Sequence, residues 1–237
     1  MDALTKAQLE QLCRFNTCVV ASAIEVFGVR LRNTGFANGS IHCMFSDLPV
    51  MVGHAVTARV RSSEPPMEGG TYYDFGRAYY DQSEWWNYIL TIPEPRIAVL
   101  EDLDKSPRLG AFLGEVHVNI LRALGCVGAV TNGNVRDLPQ ARVSGFQMFA
   151  ESAAVSHAYA HIFDFGGSVE VSGLKVNPGD IIHGDMHGVQ TIPSEILNDV
   201  VPVAQNILKR RRHLVEICRS PGFSLEKLEA ALKEMEE

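Results

Sequence analysis

The sequence predicts an α/β fold with helical ends, on three observations. Apolar segments of strand type, such as MVGHAVTARVR (residues 51–61), RIAVL (96–100) and VGAVT (127–131), are separated by segments of helical period. Gly- and Asn-rich breaks stand between these segments, as turns require. Two amphipathic patterns open the chain and two close it. The 237 residues are enough to bury a substantial core, and 46% hydrophobic with 21% charged residues is an ordinary globular balance. A single domain over residues 1–237 is the economical organisation, with no internal repeat and no low-complexity tract.

Taken in order, residues 4–14 and 17–27 read as helices, the second capped by Asn16-Thr17 and ended by Gly28. Residues 29–50 read as irregular, 51–61 as a strand and 62–70 as a loop. The segment 71–90 holds both tryptophans and five of the six tyrosines, and its later part suits a helix with Trp85, Tyr88 and Ile89 on related faces. Such aromatics serve a core, a subunit contact or the wall of a substrate pocket. Strand 96–100 ends in Glu101-Asp102. Residues 116–124 form an apolar helical run (Val116, Ile120, Leu121, Leu124) that stops at Gly125, and strand 127–131 follows. After the Asn132-Gly133-Asn134 turn come a short helix (138–143), a strand (146–150) and an ambiguous stretch, VSHAYAHIFDFGG. Strands with tight turns fill 168–193, and helices 194–219 and 224–236 form a C-terminal extension over about 194–237.

Charge and motifs exclude several function classes. A net charge of −7 leaves no electrostatic footprint for nucleic acid, and Lys209–Arg212 reads as a solvated helix face. Five cysteines with no C-x-x-C read as reduced, mostly buried thiols. The start of the chain shows no signal-peptide pattern and no apolar run is long enough to span a membrane, so a cytoplasmic protein is expected. There is no G-x-G-x-x-G after a strand, no P-loop, no G-x-S-x-G and no zinc-finger spacing. His157/His161 and His183/His187 are each four apart, but neither belongs to an H-E-x-x-H, and structural or surface roles fit them better.

The segment 114–137, GEVHVNILRALGCVGAVTNGNVRD, carries the chemistry. Glu115 stands at a helix start and Arg136-Asp137 beyond the far end of a strand, where α/β folds converge their loops. Hard carboxylate oxygens beside a fixed guanidinium suit a divalent cation with an anionic substrate. The amides of Glu115, Val116 and His117 at a helix N-terminus suit a carboxylate. The His117 side chain is open between substrate contact and helix surface.

This segment resembles the signature of the RraA-like proteins, which include the 4-hydroxy-4-methyl-2-oxoglutarate aldolases: a Gly and an acid, twenty residues, then Arg-Asp. GHAVTARV is similar to that family's early strand, and VNPGDIIHGDMHGVQTIP to its late V-x-P-G-D…D-x-x-G-V…P segment, so that the resemblance covers about 17–205. It implies a β/β/α sandwich related to swivelling phosphohistidine domains, assembled as a homotrimer or hexamer. It implies a Mg²⁺- or Mn²⁺-dependent aldolase or oxaloacetate decarboxylase that releases pyruvate from a short 2-oxo acid. In those terms Asp137 ligates the metal and Glu115 holds a metal-bound water. Arg136 contacts the keto oxygen and carboxylate, and the backbone from Gly114 to His117 receives the carboxylate. The other role in the family is a protein-binding regulator of a ribonuclease. The chain departs from the usual pattern with Glu rather than Asp at 115, Gln at 140 where aldolases often carry an acid, and a bulkier aromatic stretch.

Overall fold

A computed structural model describes residues 4–65, 67–68, 71–72, 82–105 and 108–234. Its centre is an eight-stranded mixed sheet. Four strands run parallel in the order β9 (Gln147–Ala150), β7 (Cys126–Thr131), β5 (Arg96–Asp102) and β2 (Met51–Arg61). Antiparallel strands complete it: β1 (His42–Cys43) beside β9, and the hairpin of β14 (Ile181–Asp185) and β15 (Gly188–Ile192) beside β2. β11 (His161–Phe165) pairs with the C-terminal half of β2, and β3 (Met67–Glu68) and β4 (Thr71–Tyr72) pair antiparallel outside this sheet. The parallel strands are buried on both faces, which is why they read as continuous apolar runs.

Each face has its own core. Ala98, Leu100, Ala129 and Met148 meet α3 (Ser83–Thr91), through Trp85 and Ile89, and α4 (Glu115–Ala123), through Val118 and Leu121. Ile97, Val99, Val130 and Phe149 meet the hairpin of β12 (Val169–Val171) and β13 (Leu174–Val176). A third cluster joins α1 (Lys6–Leu12), α2 (Thr17–Phe27) and α6 (Val200–Arg219) to Val52, Ile181 and Ile192. The α/β class and the helices at both ends are as expected. The helix read from residue 194 begins as one 3₁₀ turn (Ser194–Ile196), and α7 (Leu225–Glu234) follows α6. Pro202 sits in the first turn of α6, where its missing N–H costs no helical bond.

Trp85 is a core residue, 2% exposed, as the core reading of the aromatic stretch has it; residues 73–81 of that stretch lie outside the described residues. Two expectations are corrected. The thiols are not mostly buried: Cys13, Cys18 and Cys218 are exposed and only Cys126 is buried. Cys18 faces solvent because the inward positions on that turn of α2 go to Thr17, Val19 and Val20. Val116 is 58% exposed while His117 is buried, so the inner face of α4 runs through 117, 118 and 121 rather than 116 and 120.

Three short strands connect this frame to segment 114–137. β6 (Ala111–Leu113) pairs in parallel with β8 (Asn134–Val135), and β8 pairs in parallel with β10 (Ser152–Ala153). The twenty residues between Glu115 and Arg136 therefore form one crossover, α4 followed by β7. The crossover returns the chain beside the strand that it left.

Candidate functional site

The β6–β8 ladder fixes the geometry. Leu113 lies opposite Val135, and the Arg136 amide donates to Leu113 O at 2.9 Å. Beyond that bond the chains diverge, one into α4 and the other into α5 (Leu138–Val143). Asp137 stands at the divergence with φ 54° and ψ 41°, a left-handed conformation that Asp tolerates better than most residues. Asp137 is the N-cap residue of α5, yet its side chain makes no cap bond there. Instead the carboxylate turns back, and Oδ2 accepts the Glu115 amide at 2.9 Å. Arg136 Nε donates to Oδ1 at 3.3 Å, and both side chains remain 30% exposed.

Gly114 makes this approach possible. Its φ of −138° suits any residue, so the reason for glycine is space. A Cβ at 114 would stand 2.7 Å from Asp137 Oδ2 and 3.0 Å from Arg136 Cγ. The Glu115 amide holds the Asp137 carboxyl below the usual carboxylate range, with the Arg136 hydrogen bond and charge and the more distant His157 adding to it against partial burial.

The structure brings Glu115, Arg136 and Asp137 together, but modifies the expected carboxylate cradle. The first amide of the cradle is occupied by Asp137 itself. The Val116 and His117 amides follow it, ahead of the first helical bond, which Val118 donates to Gly114 O at 3.0 Å. The Glu115 side chain is exposed. The His117 imidazole is neither on the helix surface nor turned outward: it is 4% exposed, stacked on Phe112 with ring centroids 4.6 Å apart. Burial, together with the neighbouring His157, pushes it down to about 4, so it is neutral at physiological pH.

His157 is the residue near the site that sequence reasoning missed. Its ring is perpendicular to His117 with centroids 6.3 Å apart, and Nδ1 lies 2.8 Å from Ala111 O, which requires the proton on Nδ1. It belongs to the stretch that read as ambiguous, so only its spacing to His161 drew notice. That pair does not form a metal site: His161 Nδ1 bonds the Tyr159 carbonyl. In the other pair, His183 is fully buried against Thr17 and Leu12, and His187 bonds Asp185.

The donor set bears on the kind of cation. Among the described residues no three His, Cys, Asp or Glu side chains converge as a metal cage. Mg²⁺ and Mn²⁺ accept one or two protein carboxylates and fill the remaining positions with water and substrate oxygens, so Asp137 with Glu115 nearby fits such an ion. It does not fit a zinc centre of four protein ligands. A cavity of about 780 Å³ opens at the other end of α4, among Glu94, Asn119, Arg122 and Cys126, and includes none of these groups.

Comparison with known proteins gives the frame for this geometry. An uncharacterised protein of Methanocaldococcus jannaschii, MJ0644, is 32% identical over 137 residues, 56% of this chain and 66% of that protein. A protein named putative 4-hydroxy-4-methyl-2-oxoglutarate aldolase in Halalkalibacterium halodurans is 27% identical over 84 residues, 35% of this chain and 40% of that protein. The chain thus spans less than two thirds of the length of either relative. Among solved structures it resembles Streptomyces coelicolor RraAS2, described as an unusual member of the RNase ES inhibitor RraA protein family. The TM-score there is 0.68 at 18% identity, covering 90% of this chain and 98% of that one, which is a likeness of fold. The profile of the RraA-like family (Aldolase/RraA) matches residues 17–190, and the chain belongs to that family.

Proposed function

We propose that this protein is a divalent-metal-dependent carbon–carbon lyase, an aldolase or decarboxylase that acts on a short 2-oxo acid and releases pyruvate. The observation that carries the reading is the Asp137 carboxylate, held between the Glu115 amide and Arg136 at the mouth of a helix N-terminus. Asp137 would hold Mg²⁺ or Mn²⁺, with Glu115 reaching it through water. The ion would supply Lewis-acid polarisation of the substrate's keto oxygen when bound.

The chain's own residues do the rest. The Val116 and His117 amides, at the positive end of α4, receive the substrate carboxylate. Arg136 lies against the keto side and stabilises the negative charge that grows there as the C3–C4 bond breaks. Losing one such group costs on the order of 10²-fold or more in rate. The exposed Glu115 carboxylate orients the water that exchanges protons with substrate. A homotrimer or hexamer in the cytoplasm is the setting that we propose, and among the described residues no helix is long and apolar enough to cross a membrane.

The test is pyruvate release from 4-hydroxy-4-methyl-2-oxoglutarate and from oxaloacetate by purified protein with Mg²⁺. We expect activity that EDTA abolishes and that Arg136→Ala lowers at least about 10²-fold. Activity that survives both treatments, or none on either substrate, rejects the proposal. A second reading, a protein-binding regulator of a ribonuclease, is favoured by the exposed Leu109 and Val155, in the loops before β6 and after β10, and Val116 on the first turn of α4. It is the outcome if metal-free protein inhibits a ribonuclease while both lyase assays remain blank.

A further inference from the structure

The ends of the parallel strands meet in a polar junction immediately before the candidate site. Asp102 closes β5 with its side chain 4% exposed. Its backbone is clasped by Asn132 beyond β7: the Asp102 amide donates to Asn132 Oδ1 at 2.7 Å, and Asn132 Nδ2 donates to Asp102 O at 3.1 Å. Its carboxylate packs on Gly133, where a Cβ would stand 2.6 Å from Oδ2. The Glu151 amide beyond β9 donates to Gly133 O at 3.0 Å. Asn134 Nδ2, in β8, donates to the Arg108 carbonyl at 2.8 Å, which ties β8 to the segment that enters β6. The junction therefore supports both strands of the ladder that presents Arg136 and Asp137.

Its charges do not balance. Three carboxylates, Asp102, Asp104 and Glu151, act on one another there, and Arg108 pairs with two of them, Asp102 and Glu151. Asp104 is satisfied by Ser62 and Ser63, whose amides and hydroxyls donate to it at 2.7–2.8 Å. Glu151 takes Arg108 NH1 at 2.6 Å. Asp102 has the Asp104 amide at 2.9 Å, but Arg108 Nε is 3.8 Å from Oδ1, beyond hydrogen-bond reach, and that Nε is buried with no partner among the described residues. Asp102 is thus the buried carboxylate with the poorest compensation, and a proton is most easily taken up there.

We propose that Asp102 is a proton-binding positioning residue: on mild acidification its carboxyl takes up a proton, and the junction that carries Arg136 and Asp137 tightens. Burial pushes its carboxyl up to about 6; the hydrogen bond from the Asp104 amide and the Arg108 charge oppose the shift, and the Asp104 and Glu151 charges add to it. The sign follows. The folded value lies above the ordinary value of about 3.9 for an unfolded aspartate, so the folded state binds the extra proton. The ionised group therefore weakens the fold above about pH 6, and that cost shrinks as pH falls from about 6 to about 4.

The effect on stability is independent of the proposed lyase activity, whereas its effect on rate rests on that reading. Melting of wild type and Asp102→Asn from pH 4 to 8 tests the first part. At pH 7.5 the variant should melt a few degrees higher, and the difference should vanish towards pH 4. A variant equal to or less stable than wild type at pH 7.5, with a parallel profile, overturns the proposal. If the variant does not fold, carbon-13 titration of the Asp102 carboxyl in wild type decides: a midpoint near 6 supports it and one below about 4.5 overturns it. For positioning, amide exchange at Arg136 at pH 7.5 should be several-fold slower in Asp102→Asn; equal rates overturn that part. Loss in the variant of a limb near pH 6 in the pyruvate-forming rate is the expected link to chemistry. Blank rates in both proteins, with melting and exchange as expected, would reject the lyase reading and leave the junction intact.

Discussion

At residue 137 an aspartate occupies a backbone region that most side chains avoid, and it does so facing away from the helix that it begins. Left-handed residues other than glycine cost of order 1–3 kcal/mol and persist where surrounding structure over-determines them. Here the Leu113–Arg136 bond, the Glu115 amide and Arg136 supply that determination. Gly114 is the complementary residue, because its missing side chain is the space that the carboxylate fills. Gly114→Ala should therefore separate stability from function. Denaturant unfolding should change by less than about 1.5 kcal/mol, since the atom in the way is the end of the partly exposed Asp137 side chain, which can swing aside. The rate of pyruvate formation should fall at least tenfold, because such displacement of a catalytic group is costly. A variant with wild-type kinetics would show that the close approach is not needed.

At the scale of elements, the site depends on pieces too short to announce themselves. β2, β5 and β7 are long apolar runs, α2 carries a cap at each end and α6 a helical period, so they were legible. β6, β8 and β10 have two or three residues each, too few for any periodicity, and they place Arg136 beside Leu113. The inner face of α4 was misread because His117 goes inward while Val116 faces solvent; an imidazole between Phe112 and His157 carries no periodic signal. The twenty-residue spacing was legible, and its cause, one crossover, was not. The other end of α4 has its own fastening. Arg96, with its side chain 8% exposed, donates from Nε to Ile92 O at 2.5 Å and from NH1 to Leu124 O at 2.7 Å and Glu94 Oε1 at 2.8 Å. It joins the C-terminal ends of α3 and α4 to β5. Arg96→Met should cost about 2–4 kcal/mol in urea unfolding, because buried carbonyls lose their donor. A cost below about 1 kcal/mol would mean that water replaces the guanidinium.

At the scale of the whole molecule, the two chain ends close one of the three cores. Leu12, Val20, Ala23 and Ile24 meet Val200, Val201 and Ala204, none of which belongs to the cluster beneath α4. Ile24→Ala should destabilise by about 2–5 kcal/mol in equilibrium unfolding and leave the rate per folded molecule unchanged. A proportionate loss of rate at temperatures where the variant is fully folded would mean that the end helices couple to the site. The pairing of the ends was not legible, since helical period says that a face is buried but not against what.

The parallel ladder of β6 and β8 has a consequence for the order in which the molecule assembles. Its partners are separated by about one crossover, whereas α2 and α6 meet across most of the chain's length. Loop-closure entropy grows with separation, so the ladder meets a smaller entropic barrier than the pairing of the chain ends. The carboxylate and guanidinium of the site thus lie within a segment closed by the shorter loop, and a nascent chain released only to about residue 155 already contains every residue from Gly114 to Asp137 with both of the strands that align them.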